Sequence, residues 1–287
     1  HQSTVISAGG QLTVQIEADG GRHIDFDVCS KNPLTFFARV RKLKTLFSTL
    51  SPDLLHAHSR VPAWLTWFAN KKLHIPWVTT VHGFNSVSRY SEIMTKGDRV
   101  ICVSHPVKKH IVSHYGTDAS KIKVIHTGLT PQKFDPLTVD ERAVENLKSR
   151  FKLTGKTVIS SIGRITELKD YETFIRAVAR AAEKNPDLRG LIVGHVRKDK
   201  EEYFNRLTKL ISDLKLENTV HIATDLTDMP SVYAASDLIV SCSKKPESFG
   251  LTLIEALAMN TPVIASHHGG PLDIIREGID GFFFEPG

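Results

Sequence analysis

Short apolar runs alternate along the chain with longer segments whose apolar residues recur every three or four positions, a pattern that predicts strands joined by amphipathic helices. Strands are predicted at residues 4–7, 54–57, 77–81, 99–103 and 123–125, and again at 157–162, 191–193, 220–222, 238–240 and 262–265. Such runs imply parallel sheets covered by helices on both faces, an α/β architecture. The segment around Asp135 and Pro136, with the charged stretch to Arg150, interrupts the series, which restarts at Lys156. Two domains are therefore expected, residues 1–138 and 139–287.

The most informative stretch is Lys245-Pro246-Glu247-Ser248-Phe249-Gly250-Leu251-Thr252-Leu253-Ile254-Glu255-Ala256-Leu257-Ala258. Leu253, Ile254, Leu257 and Ala258 recur at helical spacing, which places a helix start near Phe249. Its first amides and the positive end of its dipole would favour an anion, and Gly250 lets backbone approach a ligand. A carboxylate repels phosphate, so Glu247 and Glu255 suit sugar or ribose hydroxyls instead. From spacing alone, an amphipathic helix with ordinary acidic residues in its first turns fits equally well.

The arrangement of two glutamates around Ser-Phe-Gly-Leu resembles the donor-site motif of family 4 retaining glycosyltransferases. Thr261-Pro262-Val263-Ile264-Ala265 followed by His268-Gly269-Gly270 is similar to the same family, although Asp273 stands where a glutamate is common. The resemblance implies a GT-B fold: two Rossmann-like doubly wound parallel-sheet domains facing a cleft, the first on the acceptor side and the second holding the nucleotide sugar. It also implies Glu247 beside the donor sugar and Glu255 on the ribose. Against that family, an initial strand with its glycine-rich acceptor loop and a closing C-terminal helix are not represented, so the chain is expected to be incomplete at both ends.

Three further segments bear on the chemistry. Gly163-Arg164, followed by Lys169, lies at a strand end and before a helix, where open α/β sheets bind ligands. A guanidinium and an ammonium there would neutralise charge growing on a departing diphosphate, and the family carries an arginine and a lysine at this spacing. Read alone, they fit a strand-end arginine and a solvated helix-start lysine better; joined to the Glu247–Glu255 motif, the functional reading takes precedence. Thr79-Thr80-Val81-His82-Gly83 ends a strand of the first domain and resembles the family's Thr-x-His-Gly segment, so His82 is expected to orient sugar hydroxyls. His56, His58, His105, His110, His114 and His126 are read as structural. Gly194 ends another strand, but Gly194-His195-Val196 departs from the family's Gly-Asp-Gly. Thr224 falls where the family's base-recognition loop lies.

The expected catalytic set is therefore His82, Glu247, Arg164 and Lys169. The expected donor-binding set is Gly163, Gly194, Thr224, Phe249, Gly250, Leu251, Thr252 and Glu255. The resemblance implies a hexose-type transfer with retained configuration, a nucleoside-diphosphate donor with UDP favoured, and a lipid-linked or saccharide acceptor in envelope polysaccharide or lipopolysaccharide synthesis. A silent nucleotide-sugar or glycolipid binder, and an epimerase or phosphorylase on the same fold, remain as alternatives. No metal and no cofactor is expected, because no ligand cluster is evident and two cations supply the positive charge.

Composition narrows the setting. Three cysteines, Cys29, Cys102 and Cys242, are scattered without metal-ligand spacing and point to a reducing cytoplasm. No apolar run is long enough to span a bilayer. The net charge of +6 is uneven: residues 1–138 carry 17 Lys+Arg against 9 Asp+Glu, whereas residues 139–287 carry 20 against 22. A basic first half favours an anionic partner. Nucleic acid is not expected, since only charge argues for it. Residues 36–47 form a basic amphipathic segment that would suit an anionic membrane surface at the cytoplasmic face, a phosphorylated acceptor, or simply a solvated sheet-covering helix.

Overall fold

A computed structural model describes residues 2–286 of the chain. It separates into two compact units, the first ending at Ile125 and the second beginning at His126, so residues 126–138 group with the second unit.

The first unit contains β1 (Thr4–Ser7), α1 (Thr13–Ala18), β2 (Arg22–Asp25), α2 (Phe36–Leu50), β3 (Leu55–Ala57), α3 (Arg60–Asn70), β4 (Trp77–Val81), α4 (Arg89–Glu92), β5 (Arg99–Cys102), α5 (His105–Tyr115) and β6 (Ile122–Val124). Strands β3 to β6 form a parallel sheet in chain order, while β1 and β2 pair separately. The helices form for local reasons. In α2, Arg39, Leu43 and Phe47 share one buried stripe at a spacing of four. The Ser104 hydroxyl caps α5 through the Val107 amide, and Gly116 ends that helix in the left-handed conformation.

The second unit contains α6 (Glu141–Arg150), β7 (Thr157–Ile162), α7 (Tyr171–Lys184), β8 (Leu188–Val193), α8 (Glu201–Asp213), β9 (Val220–Ala223), α9 (Met229–Ala234), β10 (Leu238–Ser241), α10 (Leu251–Ala258), β11 (Val263–Ser266) and β12 (Gly281–Phe284). Its six-stranded parallel sheet has the order β12-β11-β10-β7-β8-β9. That is the doubly wound Rossmann order, with the chain reversing direction across the sheet between β7 and β10. Two cores flank the sheet. Leu191 and Val193 of β8 face one core, and Leu188 and Ile192 face the other, which explains why the strand is apolar throughout.

Two strands, β2 and β12, were not predicted; both are sheet-edge strands whose pairing partner, rather than their own pattern, defines them. Helix α10 begins at Leu251 and not near Phe249, because Gly250 adopts φ +125° and Glu247 bridges to Gly269 just before it. Among the described residues no helix is long and apolar enough to cross a membrane.

Candidate active site

In a doubly wound sheet the ligand crevice opens at the carboxyl ends of the strands where the winding reverses, here β7 and β10. β7 ends at Ile162 and delivers Gly163, Arg164 and Lys169. β10 ends at Ser241 and delivers Ser243 and Glu247. Their parallel pairing, Ile239 opposite Ser160, brings the two loops together.

Lys169 Nζ donates to Glu247 Oε1 at 2.7 Å, and both side chains are about one-fifth exposed, 21% and 18%. The same oxygen accepts from Ser241 Oγ at 3.0 Å and from Ser243 Oγ. Oε2 receives no hydrogen bond among the described residues, so it stays open to a hydroxyl. Burial alone would raise the Glu247 carboxyl, but the Lys169 charge and the three donors outweigh it and hold the group below the usual range. Glu247 is thus an ionised acceptor at neutral pH. Lys169 uses one of its three N–H groups on Glu247 and keeps two.

The backbone around this pair is close-packed. Gly163 N donates to Val193 O at 2.9 Å, and the buried Tyr171 hydroxyl donates to Gly163 O at 2.7 Å. Gly194 lies so near that a Cβ on it would come within 1.8 Å of Gly163 O. Gly270 packs likewise on Phe249, where a Cβ would meet the Phe249 carbonyl oxygen at 2.1 Å, and Gly270 N donates to Glu247 O at 2.7 Å. The Gly269-Gly270 pair therefore shapes the loop that carries Glu247 and Phe249. His126 stacks on Phe249 at 5.4 Å and bonds Asp273 at 3.1 Å, giving that aspartate a partner within the second unit.

Asp170, next to Lys169, is buried at φ +51°, ion-pairs with Lys244 at 3.0 Å and caps α7 through Thr173. This left-handed conformation turns the chain from the Lys169 loop into α7. In α10, the Leu251 and Thr252 amides make no hydrogen bond among the described residues, and the first bonded amide is Leu253. They offer donors at the positive end of the helix.

Glu255 occupies the interior of α10 and accepts from Tyr233 Oη at 2.6 Å. Tyr233 is fully buried, and burial first, then its bond to Glu255 and that carboxylate's charge, raise its phenol. Arg164 and Thr224 are exposed at the ends of β7 and β9, without a side-chain bond among the described residues. The structure thus joins Lys169 with Glu247, Gly163 with Gly194, and Phe249 with the glycine loop. It gives Glu255 its own support and leaves Arg164 and Thr224 unengaged.

In the first unit, His82 follows β4. Its Nε2 lies 3.0 Å from His58 Nδ1, and the two rings stack at 5.3 Å. His56 lies beside His58 at 4.0 Å and bonds Thr80 Oγ1 at 2.7 Å. The sequence had left His56 and His58 as structural; His56 lies on β3 and His58 just past its end, two residues on, and the pairing of β3 with β4 brings His82, just past the end of β4, beside them. Ser241, Ser243, Tyr233 and Tyr171 were also missed. The Ser-x-Ser alternation at the end of β10 was the available signal for the serines, whereas nothing local marked the tyrosines.

A pair of Rossmann-like units in one chain defines the GT-B class of fold. The chain belongs to the glycosyl transferases group 1 family, whose profile matches residues 144–287, while the Glycosyltransferase Family 4 profile matches residues 1–133. The crystal structure of a glycosyltransferase from Rickettsia africae aligns with all of this chain and 76% of its own length, at 31% identity and a TM-score of 0.91. D-inositol 3-phosphate glycosyltransferase from Rhodococcus opacus is 29% identical over 261 residues, 81% of this chain and 56% of that protein. The chain thus spans little more than half the length of such relatives. Anabaena HepE, solved with UDP and glucose, shares the fold at 22% identity and a TM-score of 0.82, over 99% of this chain and 78% of its own.

Proposed function

We propose that the chain transfers a hexose-type sugar, with retention, from a nucleoside-diphosphate sugar to a phosphorylated saccharide or lipid-linked acceptor of the cell envelope, at the cytoplasmic face of the membrane. The observation that carries this reading is the Lys169–Glu247 pair at the winding reversal, with one carboxylate oxygen saturated by three donors and the other open. Two relatives reinforce the chemistry: one acts by name on D-inositol 3-phosphate, and one was solved with UDP and glucose.

The roles are those that the family resemblance implies, and for the cations charge supports them. Arg164 and the two remaining Lys169 N–H groups neutralise the departing diphosphate, assisted by the Leu251 and Thr252 amides. Glu247 Oε2 accepts from a hydroxyl of the donor sugar, Glu255 from the ribose, and His82 orients a further sugar hydroxyl. Phe249, Gly250, Gly163 and Gly194 form close backbone walls, with Thr224 near the base. The bond from the anomeric carbon to the phosphate oxygen breaks as the bond to the acceptor oxygen forms on the same face. The acceptor proton moves to the departing phosphate oxygen. Two side-chain cations provide the positive charge that a divalent ion provides elsewhere, so turnover is proposed to be metal-independent.

A thermal-shift screen with UDP, GDP and ADP, followed by NMR of the product's anomeric configuration and by turnover in EDTA, tests this. UDP is expected to stabilise the chain most, and the product to keep the donor's configuration. No stabilisation by any nucleoside diphosphate overturns the reading, and an inverted product overturns its mechanism.

A further inference from the structure

The loop after β2, the starts of α2 and α3, and α4 border an open cavity of about 390 Å³ built wholly from the first unit, with Phe36, Phe37, Val61, Trp64 and Tyr90 among its walls. The aromatic lining continues outward: Phe36 meets Phe37 and Phe68 edge-on at 5.5 Å, and Trp64 stacks on Phe68 at 6.0 Å. At the mouth Phe37 is 72% exposed, and nearby Leu34 is 91% exposed. A patch of large apolar side chains around a concave site marks a place where something apolar binds.

Charge narrows the occupant. Arg39 also lines the cavity, and only 7% of it is exposed. Its guanidinium reaches the carbonyls of Asp27 and Asn32 at 3.5 and 3.3 Å, both long, and its buried Nε has no partner. A buried guanidinium with an unused donor is costly unless a ligand acceptor completes it. The Asp27 carboxylate offsets part of the Arg39 charge but makes no side-chain bond to it, its Oδ1 accepting from the Cys29 and Ser30 amides. Residues 25–52 carry five cations, Lys31, Arg39, Arg41, Lys42 and Lys44, against Asp25 and Asp27, so the segment that bears the cavity is net positive.

We infer that this cavity holds one molecule of an anionic amphiphile, its apolar chain against Phe36, Phe37 and Trp64 and its anionic group against Arg39, with Lys31 at the mouth. A neutral lipid would leave the Arg39 donor unmet, and inorganic phosphate would leave the aromatic walls in water. That the amphiphile is the sugar acceptor rests on the transferase reading above; that it binds does not.

The probe is dodecyl phosphate below its micellar concentration, titrated calorimetrically beside dodecyl maltoside, inorganic phosphate and phosphatidylglycerol vesicles. UDP is titrated in parallel. Dodecyl phosphate is expected to bind about tenfold tighter than dodecyl maltoside, the margin of one charge-assisted hydrogen bond. Val61→Trp, which fills the cavity, and Phe37→Ser, on an exposed wall where folding is not at stake, should each weaken it about fivefold or more without altering UDP affinity. Equal affinity for the maltoside, equal affinity for inorganic phosphate, or binding to vesicles alone with both variants unaffected overturns the inference. Loss of UDP binding with dodecyl phosphate binding intact removes the transferase reading and leaves the cavity site standing. The reverse result removes the cavity site alone.

Discussion

Lys169 Nζ sits 2.7 Å from Glu247 Oε1, joining the loop after β7 to the loop after β10 across 78 residues of chain. The ammonium helps to keep the carboxyl ionised, and the carboxylate holds the ammonium at the strand ends where the crevice opens.

Lys169→Met should therefore lower kcat by about 10²-fold, the scale of losing one preorganised charge. It should also move the acid limb of the pH–rate profile upward, because burial then acts on Glu247 without its main opposing charge. In the wild type, the folded carboxyl lies below its ordinary value of 4.5, so its stabilising contribution is present above that pH and is lost as pH falls through the folded value. An acid limb that does not move in the variant would show that Glu247 is not the titrating group.

Glu255→Ala leaves the buried Tyr233 hydroxyl without its acceptor. An orphaned buried donor costs about 1 to 3 kcal/mol. Urea unfolding should show that loss, and calorimetry should show weaker UDP binding. In Glu255→Ala/Tyr233→Phe the stability should recover while UDP affinity stays low, which separates support of the fold from contact with the ribose.

Gly194→Ala and Gly270→Ala should each unfold the loop packing or abolish nucleotide binding, since the new Cβ would fall 1.8 Å from Gly163 O and 2.1 Å from Phe249 O. Backbone on both sides leaves no flexible side chain to yield. Gly128→Ala, with nothing within 4 Å of its Cβ, is the matched control and should stay within about 0.5 kcal/mol of wild type. Thermal unfolding with and without UDP distinguishes the three.

The histidine row of the first unit gives a pH signature. His58 is lowered to about 4, first by burial and then by the neighbouring His56 and His82, and those two are lowered as well, by burial first. The unfolded chain takes up protons near pH 6.5 while the folded one resists, so this contribution is full above pH 6.5 and is lost as pH falls toward 4. All three histidines are exposed residues, and screening limits the effect to about 1 kcal/mol. His58→Gln should flatten the difference in urea stability between pH 7.5 and pH 5. An unchanged slope would remove the row as the source.

Much of this was legible in one dimension because the signals are local. The parallel α/β class followed from apolar runs that must be buried on both faces, and β1, β4 and β7 lie at the bounds those runs predict. The α2 stripe of Arg39, Leu43 and Phe47 follows from spacing alone, although the burial of Arg39 on it does not. Edge strands β2 and β12 escaped because pairing, not pattern, makes them strands.

The chain by itself determined which chemical groups are available: the two glutamates around a glycine loop, the arginine and lysine after a strand, and a histidine at a strand end. Only the folded sheet decided which of them meet. Lys169 reaches Glu247 because the strand order places β10 beside β7, Tyr233 reaches Glu255 from another helix, and His58 reaches His82 because the strands they follow, β3 and β4, are neighbours. Hydrogen bonds and ion pairs act over a few ångströms of space whatever the separation along the backbone, so spacing lists the candidates and packing selects the pairs.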